Sequence, residues 1–141
     1  MRKLIDGAAA LGLNLTAEQL SAFQHYYDHL VTWNARFNLT AITDYEQVQI
    51  RHFLDSLSCL LARETRQALS RPDARVIDVG SGAGFPGIPL KIVCPGMRLT
   101  LLEATGKKVG FLEHLVAELG LGRVEAIQAR AEELAHATAH R

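Results

Sequence analysis

The sequence predicts an α/β fold, a helical N-terminal segment followed by a parallel sheet built from strand–helix–strand units. Three observations carry this. Apolar residues recur at helical spacing through the first seventy residues, short apolar runs alternate with helical stretches after Pro72, and a glycine-rich turn, Gly80-Ser81-Gly82-Ala83-Gly84, joins the first such run to the helix behind it.

The elements follow in order. Leu4, Ala8 and Leu11 are spaced for a short first helix that Gly12 ends. Thr16 and Gln19 form a capping box, and Leu20, Phe23, Tyr27, Leu30 and Val31 line one face behind it, which places a helix over 17–34. Thr43 and Glu46 repeat the box and open another helix with the stripe Ile50, Phe53, Leu54, Leu57, Leu60 and Leu61. Ser70-Arg71-Pro72-Asp73 is polar and holds a helix stopper, so it reads as a linker between a helical segment, 1–70, and an α/β segment, 71–141. Residues 75–79 then form a buried strand, a helix runs to about Cys94, and Pro95-Gly96 breaks the chain. Residues 98–103 make a second strand, 107–119 a helix closed by Gly120, and 124–128 a third strand, with helix again from Ala131. Strands joined by helices give a parallel sheet wound right-handedly.

Composition narrows the function. Of 141 residues, 48% are hydrophobic and 21% charged, as in a globular protein with a core. Fifteen basic and fifteen acidic side chains cancel, which excludes a general coat of positive charge and leaves any nucleic-acid contact to a local patch. Cys59 and Cys94 are too few for a disulfide framework and read as small core residues, so a reducing, cytoplasmic setting is expected. The N-terminus lacks a signal-peptide core and no apolar run suits a membrane span. His25 with His29, and His136 with His140, have the spacing to share a metal, but no third ligand completes either pair; surface histidines and no metal site are expected.

The glycine turn carries the chemistry. Glycine there lets the backbone turn sharply and removes the Cβ that would keep a ligand from the helix behind it. Glu103 ends the next strand, 23 residues after Gly80, where a carboxylate can accept both ribose hydroxyls of a nucleoside. Dinucleotide folds place the third glycine at +5 from the first; here glycines stand at +0, +2 and +4, and Phe85 takes the +5 position. Asp78 lies two residues before the first glycine. A pyrophosphate disfavours that negative charge, whereas S-adenosylmethionine has no phosphate and carries a cationic amino group and a sulfonium. The pattern therefore favours S-adenosylmethionine, with NAD in an oxidoreductase or regulatory domain as the alternative.

The run from Val76 to Leu90, Val76-Ile77-Asp78-Val79-Gly80-Ser81-Gly82-Ala83-Gly84-Phe85-Pro86-Gly87-Ile88-Pro89-Leu90, resembles motif I of class I methyltransferases, a Rossmann-like fold. Its Phe85-Pro86-Gly87-Ile88-Pro89 portion is similar to the bacterial 16S ribosomal RNA guanine-N7 methyltransferase family, also called glucose-inhibited division protein B. Three further segments agree in order: Trp33-Asn34-Ala35-Arg36-Phe37-Asn38-Leu39-Thr40, Arg51-His52-Phe53-Leu54-Asp55-Ser56-Leu57 and Leu101-Leu102-Glu103-Ala104-Thr105-Gly106-Lys107-Lys108. The resemblance implies S-adenosylmethionine-dependent methylation of guanine N7 in the 530 loop of the small-subunit rRNA. The turn itself makes Gly80, Gly82, Gly84 and Asp78 expected cofactor-binding residues, and the resemblance implies that Gly80 and Phe85 line the cofactor site, that Glu103 holds the ribose, and that Ala131 and Glu132 pack at the adenine.

Members of that family continue for several strands beyond the position of Glu132, so the sequence is expected to be a truncated form with weak or no activity. Its parallel sheet would be incomplete at the C-terminus, with the first strand an apolar edge. N7 of guanine has an in-plane lone pair and no proton, so no general base is needed and no catalytic acid or base is nominated. Expected RNA contacts are Arg36, Asn38, Arg51, His52, Lys107, Lys108 and Arg130, on 16S rRNA or the small ribosomal subunit. Trp33 and Phe37 suit core packing better than base stacking. His52, Asp55 and Ser56 share a helix face and read as a polar rim of the cofactor cleft rather than a nucleophilic triad.

Overall fold

A computed structural model describes residues 1–130 and Glu132. Helix α1 (Arg2–Ala10) ends before Gly12, whose φ of 81° is the left-handed conformation expected of a closing glycine. Helix α2 (Ala17–Asn34) opens on the Thr16 box: Gln19 N–H donates to Thr16 Oγ1 at 3.1 Å, and Thr16 N–H to Gln19 Oε1 at 2.9 Å. Its buried residues are Phe23, Tyr26 and Leu30. Tyr26 rather than Tyr27 thus turns inward; Tyr27 sits on the shoulder and donates to the Thr43 carbonyl at 2.9 Å.

The helix expected from Thr43 starts one residue later and is not regular. Asp44 is the cap, accepting from Gln47 N–H at 3.0 Å. Helix α3 (Tyr45–Val48) passes into a π-helical turn (Gln49–Leu54), then α4 (Asp55–Leu57) and a 3-10 turn (Ser58–Leu61). A π turn bonds i to i+5, so Val48 and Phe53, five apart, both reach the core. The same rotation corrects the expected stripe: Ile50 is 41% and Leu61 65% exposed, and Cys59 faces solvent rather than the core. Helix α5 (Arg63–Leu69) completes the helical segment.

The α/β part follows as β1 (Arg75–Val79), α6 (Gly87–Val93), β2 (Arg98–Glu103), α7 (Gly106–Glu118) and β3 (Val124–Gln128). The strands are parallel in the order β1-β2-β3, with Asp78 opposite Leu101 and Leu101 opposite Ala126. Both crossovers step the same way across the sheet, so right-handed connections put α6 and α7 on one face. Helix α2 packs over both. Leu99 and Leu101 are buried toward these helices, while Ile77 and Val79 alternate to the other face and remain 58% and 59% exposed. Among the described residues β1 and β3 are the two edges, and β1 is the edge that the sequence leads one to expect. Ala131, and the helix expected from it, lie outside the described residues; Glu132 is exposed.

One core joins the two segments, running from Leu4, Phe23 and Phe53 through Ile88 and Leu101 to Phe111 and Leu115. Buried Lys91 holds the turn between α6 and β2, its Nζ donating to the carbonyls of Pro95 at 2.6 Å and Met97 at 2.7 Å. Asp73 pairs with Arg123 and Arg98, tying together the strand starts away from the glycine turn. No described helix is long and apolar enough to cross a membrane.

Candidate functional site

The glycine turn lies at the C-terminal ends of the strands, where open α/β sheets bind ligands. It is fastened to β2 by N–H bonds from Gly80 (2.9 Å) and Ser81 (3.0 Å) to the Leu102 carbonyl. Gly80, Gly82 and Gly84 have φ of 70°, 56° and 101°, a conformation that residues with a Cβ adopt at a cost. Space around them differs. A Cβ on Gly80 or Gly82 would meet nothing within 4 Å, so the outer side of the turn is open to a ligand. A Cβ on Gly84 would lie 2.6 Å from Tyr26 Oη and 2.9 Å from Ile88 Cδ1, so that residue faces inward.

Glu103 closes the other side. Its Oε1 accepts from Gly82 N–H at 3.0 Å and its Oε2 from Thr105 N–H at 2.8 Å. Burial pushes its carboxyl up, but these two donors and the Lys108 charge outweigh that and leave it below its usual value, hence ionised. Each oxygen retains acceptor capacity. A fixed, ionised carboxylate beside an open glycine turn fits the vicinal hydroxyls of a ribose.

Asp78 lies beneath the turn and is 7% exposed. Its Oδ2 accepts from Gly87 N–H at 3.0 Å, pinning the start of α6. Burial raises its carboxyl above the usual value, and the Gly87 bond pulls it partly back.

The helical segment reaches the turn through Phe85. This ring stacks on His52 (centroids 4.3 Å apart, planes 9° apart) and on Tyr26 (5.4 Å, 7°). His52 Nε2 lies 2.8 Å from Thr40 Oγ1, and burial lowers the imidazole pKa, opposed by Asp55. Thr40 is itself placed by Asn34, whose Oδ1 accepts from the N–H groups of Leu39 (2.8 Å) and Thr40 (2.9 Å). Of the expected polar rim only His52 meets the turn. Ser56 is buried and donates back to the His52 carbonyl at 2.6 Å, while Asp55 is exposed. Tyr26 belongs to no motif, its only cue being its place three residues after Phe23 on the helix, and Thr40 ends the Trp33–Thr40 segment without being singled out there.

The remaining expected RNA contacts divide. Lys108 acts electrostatically on Glu103, and Lys107 holds its Nζ 5.3 Å from the Phe37 ring centroid. Arg36 and Asn38 are exposed after α2. Arg130 is exposed just past β3, where Ala129 N–H bonds the Glu103 carbonyl at 3.1 Å. Arg51 borders two surface hollows, one with Asp55 and the other with Asp44, neither of which includes the glycine turn. Trp33 and Phe37 pack against the core while keeping part of each ring at the surface. His29 pairs with His114 rather than facing solvent alone; His136 and His140 lie outside the described residues. Among the described residues no group of three His, Cys, Asp or Glu is placed to hold a metal.

Comparison with known proteins gives one answer. The family model described as rRNA small subunit methyltransferase G matches residues 19–140. The chain is 52% identical over 135 residues to the ribosomal RNA small subunit methyltransferase G of Dehalococcoides mccartyi (strain CBDB1), covering 96% of this chain and 55% of that protein. It is 48% identical over 143 residues to the protein of the same name from Roseiflexus sp. (strain RS-1), covering all of this chain and 58% of that protein. The chain thus spans about half the length of the curated relatives it matches. A match over that stretch, around a methyltransferase-like glycine turn closed by Glu103, shows that the chain belongs to the family of rRNA small subunit methyltransferase G.

Proposed function

We propose that this chain forms the cofactor-binding part of an S-adenosylmethionine-dependent methyltransferase acting on guanine N7 in the 530 loop of 16S rRNA. The observation that carries the reading is Glu103, an ionised carboxylate held by Gly82 and Thr105 beside the open side of the turn. In this reading Glu103 accepts the ribose hydroxyls and Gly80 and Gly82 let the nucleoside approach the backbone. Asp78 supplies negative charge beneath the turn, which suits a cationic cofactor. NAD is the weaker alternative, because the third glycine stands at +4 and Asp78 precedes the turn.

When bound, S-adenosylmethionine supplies a methyl group on a sulfonium. N7 of guanine already carries its attacking lone pair, so what remains for the chain is to orient the base and exclude water. The site agrees with that division of labour: both carboxylates at the turn are occupied by backbone donors. The rRNA substrate follows the names of the relatives and the family motifs; Lys108, whose charge acts on Glu103, and Lys107 beside it in the chain support it.

The direct test is thermal unfolding of this chain with S-adenosylhomocysteine and, separately, with NAD. A ligand at 100 times its Kd that binds only the native state adds about 2.7 kcal/mol. The expected outcome is a rise with S-adenosylhomocysteine and none with NAD; a rise with NAD alone would overturn the cofactor. Mass mapping of 16S rRNA from cells with and without the intact protein tests the methylated atom.

A further inference from the structure

A hollow of about 400 Å³ opens between the C-terminal half of α2 and α7, away from the glycine turn itself. Its walls are Trp33, Phe37, His29 and His114, with Arg36 at the rim. Trp33 lies 5.7 Å from Phe37 and 5.2 Å from His114, and it rests edge-on against buried Phe111 at 5.7 Å. His114 Nε2 and His29 Nδ1 are 3.3 Å apart, which fixes the far wall. Two cations flank the aromatic end, Arg36 and Lys107, the second directly over Phe37. An acid, Glu118, stands at the histidine end, 4.0 Å from His29 Nε2 and three turns along α7 from Lys107.

We propose that this hollow takes one unstacked base of single-stranded RNA, its ring against Trp33 and Phe37 and its two flanking phosphates held by Arg36 and Lys107, one each. The chemistry is that of single-strand recognition, in which aromatic side chains stack on bases and basic groups follow the backbone. Charge complementarity selects a polyanion over an apolar peptide: Arg36 lines the aromatic end and Lys107 stands over Phe37, while Glu118 lies at the opposite, histidine end. Position selects a strand that also visits the cofactor, because Lys107 stands in the first turn of α7, four residues after Glu103. The inference rests on the rRNA reading above and extends it to a subsite for a nucleotide other than the methylated one.

Trp33 is the only tryptophan in the chain, so its emission reads this hollow without a label. The test titrates the chain with a short mixed-sequence single-stranded oligoribonucleotide, following Trp33 emission and, in parallel, anisotropy of the labelled oligonucleotide. Quenching with the same midpoint as binding is expected. Phe37→Leu should weaken binding about tenfold, the scale of one lost base stack. Arg36→Gln together with Lys107→Gln should lower the slope of log affinity against log salt by about 1.4, two single-strand phosphate contacts. Phe37→Tyr, which keeps the ring, should bind as the parent does and guards against a folding defect in Phe37→Leu. The S-adenosylhomocysteine shift is expected to persist in all these variants, so failure of the cofactor reading is read separately. Absence of oligonucleotide binding, binding with unchanged Trp33 emission, or unaltered affinity in Phe37→Leu would each overturn the proposal. Adenosine monophosphate quenching as tightly as the oligonucleotide would also overturn it, assigning the hollow to a free nucleotide.

Discussion

Tyr26 Oη donates a 2.7 Å hydrogen bond to the carbonyl of Ala83, joining α2 to the middle of the glycine turn 57 residues later. Tyr26 is fully buried, and Ala83 is 4% exposed. The helical segment is therefore a buttress that sets the height of the turn. Tyr26→Phe keeps the ring stacked on Phe85 but leaves the Ala83 carbonyl buried without this partner. The expected cost is about 1–3 kcal/mol, the penalty of an unsatisfied buried group. Denaturant unfolding measures it, and affinity for S-adenosylhomocysteine should fall in the same variant; an unchanged unfolding midpoint would show that the bond holds nothing.

The same contact ranks the glycines. Gly84→Ala combines a φ of 101° with a Cβ 2.6 Å from Tyr26 Oη and 2.9 Å from Ile88 Cδ1. Gly80→Ala has the strained φ of 70° but open space, and strain alone costs on the order of 1–3 kcal/mol. Gly96→Ala has neither strain nor neighbours within 4 Å and should stay within about 0.5 kcal/mol of the parent. Melting temperatures should fall in the order Gly96→Ala, Gly80→Ala, Gly84→Ala, and equal losses at Gly80 and Gly84 would refute the buttress.

Much of this frame is legible in the sequence, and the exceptions have physical reasons. The strands 75–79, 98–103 and 124–128 appear where expected because strands of a parallel sheet are short apolar runs between glycine and proline punctuation. Glu103 is readable from its distance to Gly80, a local feature of one strand–helix–strand unit. Around Asp44 two capping patterns overlap, Thr43 with Glu46 and Asp44 with Gln47, and the carboxylate, the better acceptor, takes the role. The π turn defeats a 3.6-residue period, which is why Ile50 and Leu61 come out exposed. Tyr26 acts only through a partner 57 residues along the chain, which no window of sequence shows, and the motifs that hold Thr40 and His52 do not show that the two meet.

Glu103 also sets an acid limit on stability. Its carboxyl is lower in the folded chain than its ordinary value of 4.5. Such a group stabilises fully above the unfolded pKa and loses that contribution as pH falls through the folded one. Glu103→Gln removes the charge and leaves one of the Gly82 and Thr105 donors facing an amide NH₂. The variant should be less stable than the parent at neutral pH, with the difference shrinking as pH drops below 4.5. Urea unfolding of both proteins across that range checks it, and the S-adenosylhomocysteine shift should be reduced throughout. A stability gap that stayed constant into acid would mean that the Glu103 charge is not what binds the turn to β2.

His52 gives the opposite side chain a measurable signature in the neutral range. Burial lowers its imidazole below the ordinary 6.5, against the pull of Asp55, and its ring stacks on Phe85 with Nε2 at Thr40 Oγ1. A base with a depressed native pKa binds fewer protons folded than unfolded, so stability is full above 6.5 and declines as pH falls toward the native value. NMR titration of the His52 ring protons should give a midpoint below 6.5, with Phe85 ring resonances following it because the stacked face acquires a charge. His52→Phe preserves an aromatic stack and removes the titration, so it should flatten this part of the stability profile while other histidines still contribute theirs. The difference between parent and variant isolates His52. A midpoint at or above 6.5, or identical pH profiles for the two proteins, would show that the neutral imidazole is not what the packing of Phe85 and Thr40 selects.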